Sequence, residues 1–170
     1  MEYVEHEFGP FYDTTSKVLI LGSIPSKKSR AMGFYYAHPQ NRFWKTLAAI
    51  YNEEVPTSIE EQKQFLSNHH IALWDVIKSC YITGSSDQSI RQVTVNDISS
   101  LLKKTNIQAI FTTGRKSMQL YQKYCFQKTG IPAIYLPSPS PANCKKGIEK
   151  WLQEEYQIIK QYTDEKESLS

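Results

Sequence analysis

Cysteine is scarce in this 170-residue chain and poorly placed for chemistry. Cys80, Cys125 and Cys144 are the only three, with no C-x-x-C and no histidines at the spacing that structural zinc needs. Three thiols also fall short of the four that hold an iron–sulfur cluster. The pattern predicts reduced thiols, no metal and no other cofactor. No apolar run approaches the ~18 residues of a membrane span, and the N-terminus has neither a basic n-region nor an apolar h-region. These absences predict a cytoplasmic protein with no membrane partner.

Charge is nearly balanced, at +3 overall. Residues 163–170 hold Asp164, Glu165 and Glu167 against Lys166, so residues 1–162 carry +5. That excess is compatible with a polyanionic partner without requiring one. The chain fits one domain over 1–162, and 163–170 read as a charged, disordered tail.

What is present begins with Val18-Leu19-Ile20-Leu21, a continuous apolar run of the kind buried on both faces. Further runs at Ile71–Trp74, Ile107–Thr113 and Ile131–Leu136 predict three more strands. Between them, apolar residues recur at helical spacing after Arg42, in Thr57–Asn68, from about Asn96, in Met118–Cys125 and in Ile148–Tyr162. Thr57 and Glu60 stand at capping-box spacing. Residues 1–17 read as irregular, and Lys78–Gln92 as a surface loop. Alternation of strand and helix without a hairpin signal predicts an α/β fold: a three-layer α/β/α sandwich around a central four-stranded parallel sheet. Ligands in such sheets bind at the carboxyl ends of the strands.

Two unusual stretches leave from those ends. Gly22 to Trp44, GSIPSKKSRAMGFYYAHPQNRFW, is too long and aperiodic for a simple connection. Gly22 and Ser23 let backbone N–H groups approach a ligand, and Pro25 fixes a turn. Tyr36 is available for stacking on a planar base, whereas Phe34 and Tyr35 are expected to pack inside. Lys27, Lys28 and Arg30 form a basic cluster suited to phosphate. The second stretch is Pro137-Ser138-Pro139-Ser140-Pro141-Ala142-Asn143.

G-S-I-P-S, F-Y-Y-A-H-P-Q-N-R-F-W and L-P-S-P-S-P-A-N together resemble the uracil-DNA glycosylase superfamily, and most closely its hypoxanthine (deoxyinosine) DNA glycosylase branch. The resemblance spans residues 17–162. It implies an enzyme that flips a deaminated base out of double-stranded DNA and hydrolyses its N-glycosidic bond, acting as a monomer. The superfamily ordinarily places a water-positioning Asp or Asn two residues after the first glycine; here that position is Ile24, which can neither accept a proton nor orient water. The branch instead credits the asparagine of H-P-x-N, which maps onto Asn41. The same resemblance assigns the stacking platform to Tyr36, base-edge contacts to backbone around Gly22, Ser23 and Ile24, a neighbouring place to His38, and a DNA-facing loop to Ser138, Ser140 and Asn143. Leu136 stands where many uracil enzymes carry a catalytic histidine, and Ser140 where they carry a leucine wedge.

Other signals carry less. His38 is as well explained by a hydrogen bond that ties its loop as by acid catalysis. Gly114-Arg115-Lys116-Ser117 lacks the upstream glycine of a phosphate loop. Asp75, at the end of the second strand, is a common kind of strand-end acid. Two other functions fit the same residues: excision of uracil or of several deaminated bases, and binding of nucleic acid without catalysis. No lysine sits in the A-H-P-Q-N element that carries Asn41, so Schiff-base strand cleavage is not expected.

Overall fold

The computed structural model describes residues 1–6 and 8–164. In chain order the elements are β1 Glu2–Glu5, β2 Val18–Gly22, α1 Lys27–Met32, α2 Phe43–Ile50, α3 Ile59–Asn68, β3 Ile71–Asp75, β4 Ile77–Ile82, β5 Arg91–Val95, α4 Ile98–Lys103, β6 Ala109–Thr113, α5 Arg115–Tyr124, α6 Phe126–Thr129, β7 Ala133–Leu136, α7 Ile148–Tyr156 and α8 Lys160–Thr163. None of these helices is long and apolar enough to cross a membrane.

The central sheet is parallel, in the order β3-β2-β6-β7. Of its two inner strands, β2 is buried at every residue, and period-two alternation sends its side chains to two separate cores. Val18 and Ile20 join Phe43, Leu47, Leu66, Leu152 and Tyr156 under α2, α3 and α7. Leu19 and Leu21 join Ile98, Leu101, Leu120 and Tyr121 under α4 and α5. The α/β/α sandwich expected from the alternating pattern is therefore the observed architecture. The outer edge of β3 is shielded by Phe11, which exchanges two 2.9 Å backbone hydrogen bonds with Leu73.

Three local expectations need correction. A second sheet, antiparallel in the order β1-β4-β5, occupies segments read as irregular or as loop. It completes the second core through Val4, Cys80 and Ile82. Its hairpin gave no signal because β4 and β5 are joined by eight residues, 83–90, rather than by a two-residue turn, and the β4–β5 register is interrupted twice. The long connection after β2 contains α1, which starts at Ser26, whose hydroxyl accepts from Ser29 N–H, and stops at left-handed Gly33 (φ 75°). The cap of α3 is Ser58, whose hydroxyl accepts from Glu61 N–H, one residue after Thr57.

Thr163 is buried and its hydroxyl lies 2.5 Å from that of Tyr51. Of the expected tail, residues 165–170 lie outside the described residues.

Candidate active site

A cavity of about 340 Å³ opens at the carboxyl ends of β2, β3 and β6, lined by the stretch after β2, the second loop and the β4–β5 hairpin. Gly22, Ser23, Ile24, Tyr36, His38 and Asn41 line it from one side, Ser138 and Ser140 from the other. Lys27, Lys28 and Asn143 are not among its lining residues; both lysines are exposed in the first turn of α1, next to the lining residues Pro25 and Ser26. Phe34 and Tyr35 are buried, as expected for core packing. Arg30 is turned away from solvent: its guanidinium donates to Pro25 O at 3.0 Å and lies 3.7 Å from Glu2.

Asn41 sits at the mouth of α2. Its Oδ1 accepts from Phe43 N–H at 2.9 Å, a local turn that satisfies the first N–H of α2 and fixes the amide orientation, since only the oxygen can accept. The NH₂ group and the second lone pair of Oδ1 are left for a ligand. His38 Nδ1 accepts from Gln40 N–H at 3.1 Å, so the neutral ring carries its hydrogen on Nε2. The loop-tying role weighed for His38 is therefore real.

Tyr36 has φ 55°, the left-handed region that costs a non-glycine residue about 1–2 kcal/mol. The conformation is held by a ring stacked on Phe43, with centroids 3.8 Å apart and planes 14° from parallel. Its hydroxyl lies 3.3 Å from Thr113 Oγ1, whose own hydrogen points to Leu21 O, so Tyr36 is the donor. Burial, and then the Asp75 carboxylate, push the phenol far above its ordinary pKa, keeping it neutral. The carbonyls of Gly22 and Ser23 accept from Val76 and Ile77 N–H, leaving base-edge contacts from this stretch to its N–H donors.

The second loop is tied to itself. Ser138 Oγ accepts from Ser140 N–H, Ser140 Oγ from Ala142 N–H, and Asn143 Nδ2 donates to Ser138 O at 2.9 Å. Each serine keeps its own hydroxyl hydrogen for a phosphate. Leu136 is buried in the core.

The two stretches are joined by a residue that the sequence alone did not single out. Arg42 donates from its guanidinium to Ser140 O at 3.1 Å and Asn143 O at 3.2 Å, and from its N–H to Pro139 O at 2.9 Å. The arginine of N-R-F-W was visible in the motif, but its partners lie about a hundred residues on. Asp75 and Thr113 line the cavity floor, and Asp87 lines its rim, where it accepts from Ser23 Oγ at 3.0 Å.

A family model described as the Uracil DNA glycosylase superfamily matches residues 10–159. The chain belongs to that superfamily. It is thus a DNA glycosylase, hydrolysing N-glycosyl bonds in a DNA substrate. A Methanosarcina acetivorans protein named hypoxanthine DNA glycosylase is 32% identical over 142 residues, covering 82% of this chain and 89% of the relative. A Methanosarcina barkeri protein of the same name is 33% identical over 112 residues, covering 65% of this chain and 71% of that one. The solution NMR structure of a candidate uracil DNA glycosylase from M. acetivorans superposes with a TM-score of 0.75 at 30% identity, covering 90% of this chain and 96% of that one. In the glycosylase cavity Ile24 contributes an apolar side chain to the lining beside Ser23 and Pro25.

Proposed function

We propose that this glycosylase is monofunctional and removes hypoxanthine from double-stranded DNA, acting as a monomer in the cytoplasm with residues 1–162 as its domain. The observation that carries the reading is Asn41, a hydrogen-bonded and oriented carboxamide on a cavity whose usual catalytic position, Ile24, is apolar. The names of the two Methanosarcina relatives support the choice of base.

Departure of the base builds positive charge on the sugar and negative charge on the purine. Asn41 is neutral, so it orients the attacking water without removing a proton in advance. Rate then comes from positioning, exclusion of bulk water and hydrogen bonds to the departing base. Tyr36 supplies the stacking surface, with Phe43 behind it as a rigid backing. N–H groups around Gly22, Ser23 and Ile24 read the base edge, and His38 Nε2–H stands beside them. Ser138 and Ser140 donate to backbone phosphates, Asn143 holds their loop, and Lys27 and Lys28 add positive charge along the strand. Weak pairing of a deaminated base lowers the cost of flipping. Among the described residues no lysine lines the cavity, which fits hydrolysis without strand cleavage.

The test is single-turnover excision from duplexes carrying inosine, uracil or xanthosine, with Asn41→Ala beside the wild type. Inosine is expected to be cut fastest, and Asn41→Ala to lose excision while still binding the duplex. Equal rates for Asn41→Ala and wild type would end the assignment of Asn41. Faster excision of uracil would move the substrate to that base, and binding without any abasic product would leave a non-catalytic module.

A further inference from the structure

The family match begins at residue 10, yet part of the cavity floor is held by a side chain that precedes it. His6 follows β1 and is anchored by its N–H donating to Lys78 O at 2.7 Å. The anchor delivers the ring to the end of β3, where Nε2 lies 2.7 Å from Asp75 Oδ2. Both side chains are buried, 2% and 5% exposed. A carboxylate only accepts, so Nε2 carries the hydrogen. Among the described residues His6 Nδ1 has no partner, so Asp75 supplies the hydrogen bond that the ring makes there. Asn96 fixes the backbone beneath by donating from Nδ2 to Asp75 O and Ile77 O.

The other carboxylate oxygen faces the site. A Cβ placed on Gly22 would lie 2.6 Å from Asp75 Oδ1, 3.4 Å from the Tyr36 hydroxyl and 3.7 Å from Thr113 Oγ1. Glycine is needed there because the carboxylate crosses directly over it. One acceptor-only oxygen and two hydroxyls thus gather at the closed end of the cavity.

A flipped base enters with its glycosidic bond outermost and its far edge toward that floor. Hypoxanthine presents an N1–H donor beside its carbonyl, whereas adenine presents a bare N1 lone pair. We propose that Asp75 Oδ1 is the specificity-determining acceptor for the N1–H of hypoxanthine, and that His6 is the positioning residue that holds it there. The inference rests on the hypoxanthine reading above. Two physical needs meet in His6. It fixes which oxygen faces the base, and its N–H draws negative charge toward Oδ2, away from a base that departs as an anion. An unrestrained carboxylate in the same place would repel the leaving group it recognises.

The experiment compares single-turnover excision of inosine and of unsubstituted purine, which lacks both the N1–H and the carbonyl, by full-length wild type, Asp75→Asn, His6→Ala and His6→Gln. Melting curves and affinity for a duplex with a stable abasic analogue are measured on the same proteins. Asp75→Asn is expected to lose about tenfold to a hundredfold on inosine, the scale of one charge-assisted hydrogen bond, and much less on purine, so that the ratio collapses. His6→Ala should lose about tenfold in rate with abasic-DNA affinity within about twofold. His6→Gln, whose amide donates to the same oxygen, should recover a large part of that loss. If Asp75→Asn does not fold, the two His6 variants read the same ratio. Parallel loss on both substrates, or no loss, overturns the proposal. A wild type that leaves inosine uncut overturns the hypoxanthine reading itself, and the proposal with it.

Discussion

The two loops that border the cavity use their polar side chains in opposite ways. In 137–143, Ser138, Ser140 and Asn143 bond to their own backbone, and Tyr156 clamps the base of the loop by donating to Pro137 O at 2.7 Å. The result is a stiff wall that keeps the Ser138 and Ser140 hydroxyl hydrogens for DNA and has no group placed for the chemistry. In 22–44, Asn41 and His38 each commit one atom to the backbone and keep another for the cavity. Tyr36 is held in a left-handed conformation that only its surroundings make tolerable. A site of this kind needs both: one loop rigid because its polar groups are paired, and one reactive because some are not. Arg42 is the joint, since its three hydrogen bonds fix the distance between them.

The comparison breaks most visibly at Asn41. Asn41→Ser keeps an oxygen able to accept from Phe43 N–H, so stability is expected to change by less than about 1 kcal/mol. Excision should still fall by at least about a hundredfold, because serine cannot place a water where the longer amide does. Ser140→Ala in the opposite loop should cost only a few-fold. Single-turnover rates and melting temperatures on the two variants test this together, and equal losses would mean that the loops share the chemistry.

Arg42→Ala comes next. It strips two carbonyls of a charged donor, a cost of about 1.5–3 kcal/mol. At roughly 2–4 °C per kcal/mol for a chain of this size, the melting temperature should fall by several degrees. Excision should drop about tenfold as the loops drift apart. Arg42→Lys keeps the charge and loses the fork, so it should recover affinity for DNA better than rate. Asn143→Ala is milder: one hydrogen bond within the second loop, about 1 kcal/mol, with a loss in rate of a few-fold.

The same division governs what was legible in the chain. The four parallel strands announced themselves because each is a continuous apolar run, and the cavity followed from where their carboxyl ends must lie. Asn41, Tyr36 and Ser138 could be placed because each belongs to a contiguous motif. His6, Asp87 and the second sheet were not legible. His6 acquires meaning only from Asp75, 69 residues away, through a pairing of β1 with β4 that four residues cannot advertise. Arg42 was in plain view, but its role depends on carbonyls of the other loop, and a carbonyl leaves no mark in a sequence.

The smallest effect is expected at the rim. Asp87 is exposed as a residue, but its carboxyl end sits against the cavity mouth, where burial holds its pKa above the usual carboxylate value. The Ser23 hydroxyl and the Lys116 charge partly offset that rise. An acid raised in the folded state holds more protons there than in the unfolded chain, so ionising it works against the fold as pH climbs through that window. It also works against DNA, whose phosphates must pass the same rim. Ser23 is a side chain of the reactive loop whose partner is a carboxylate of the β4–β5 hairpin, a segment belonging to neither loop. Asp87→Asn should therefore keep the Ser23 contact through its amide oxygen, leave the rate of excision unchanged, and tighten duplex binding by about threefold, the scale of an exposed charge interaction. The gain should be largest at low salt. In the wild type, affinity should rise as pH falls toward the ordinary carboxylate range, more steeply than in the variant. Titrations of both proteins at two salt concentrations and across that pH range separate the outcomes. If the two curves run parallel, Asp87 is only a cap for Ser23, and repulsion at the rim plays no part in how the reactive loop meets DNA.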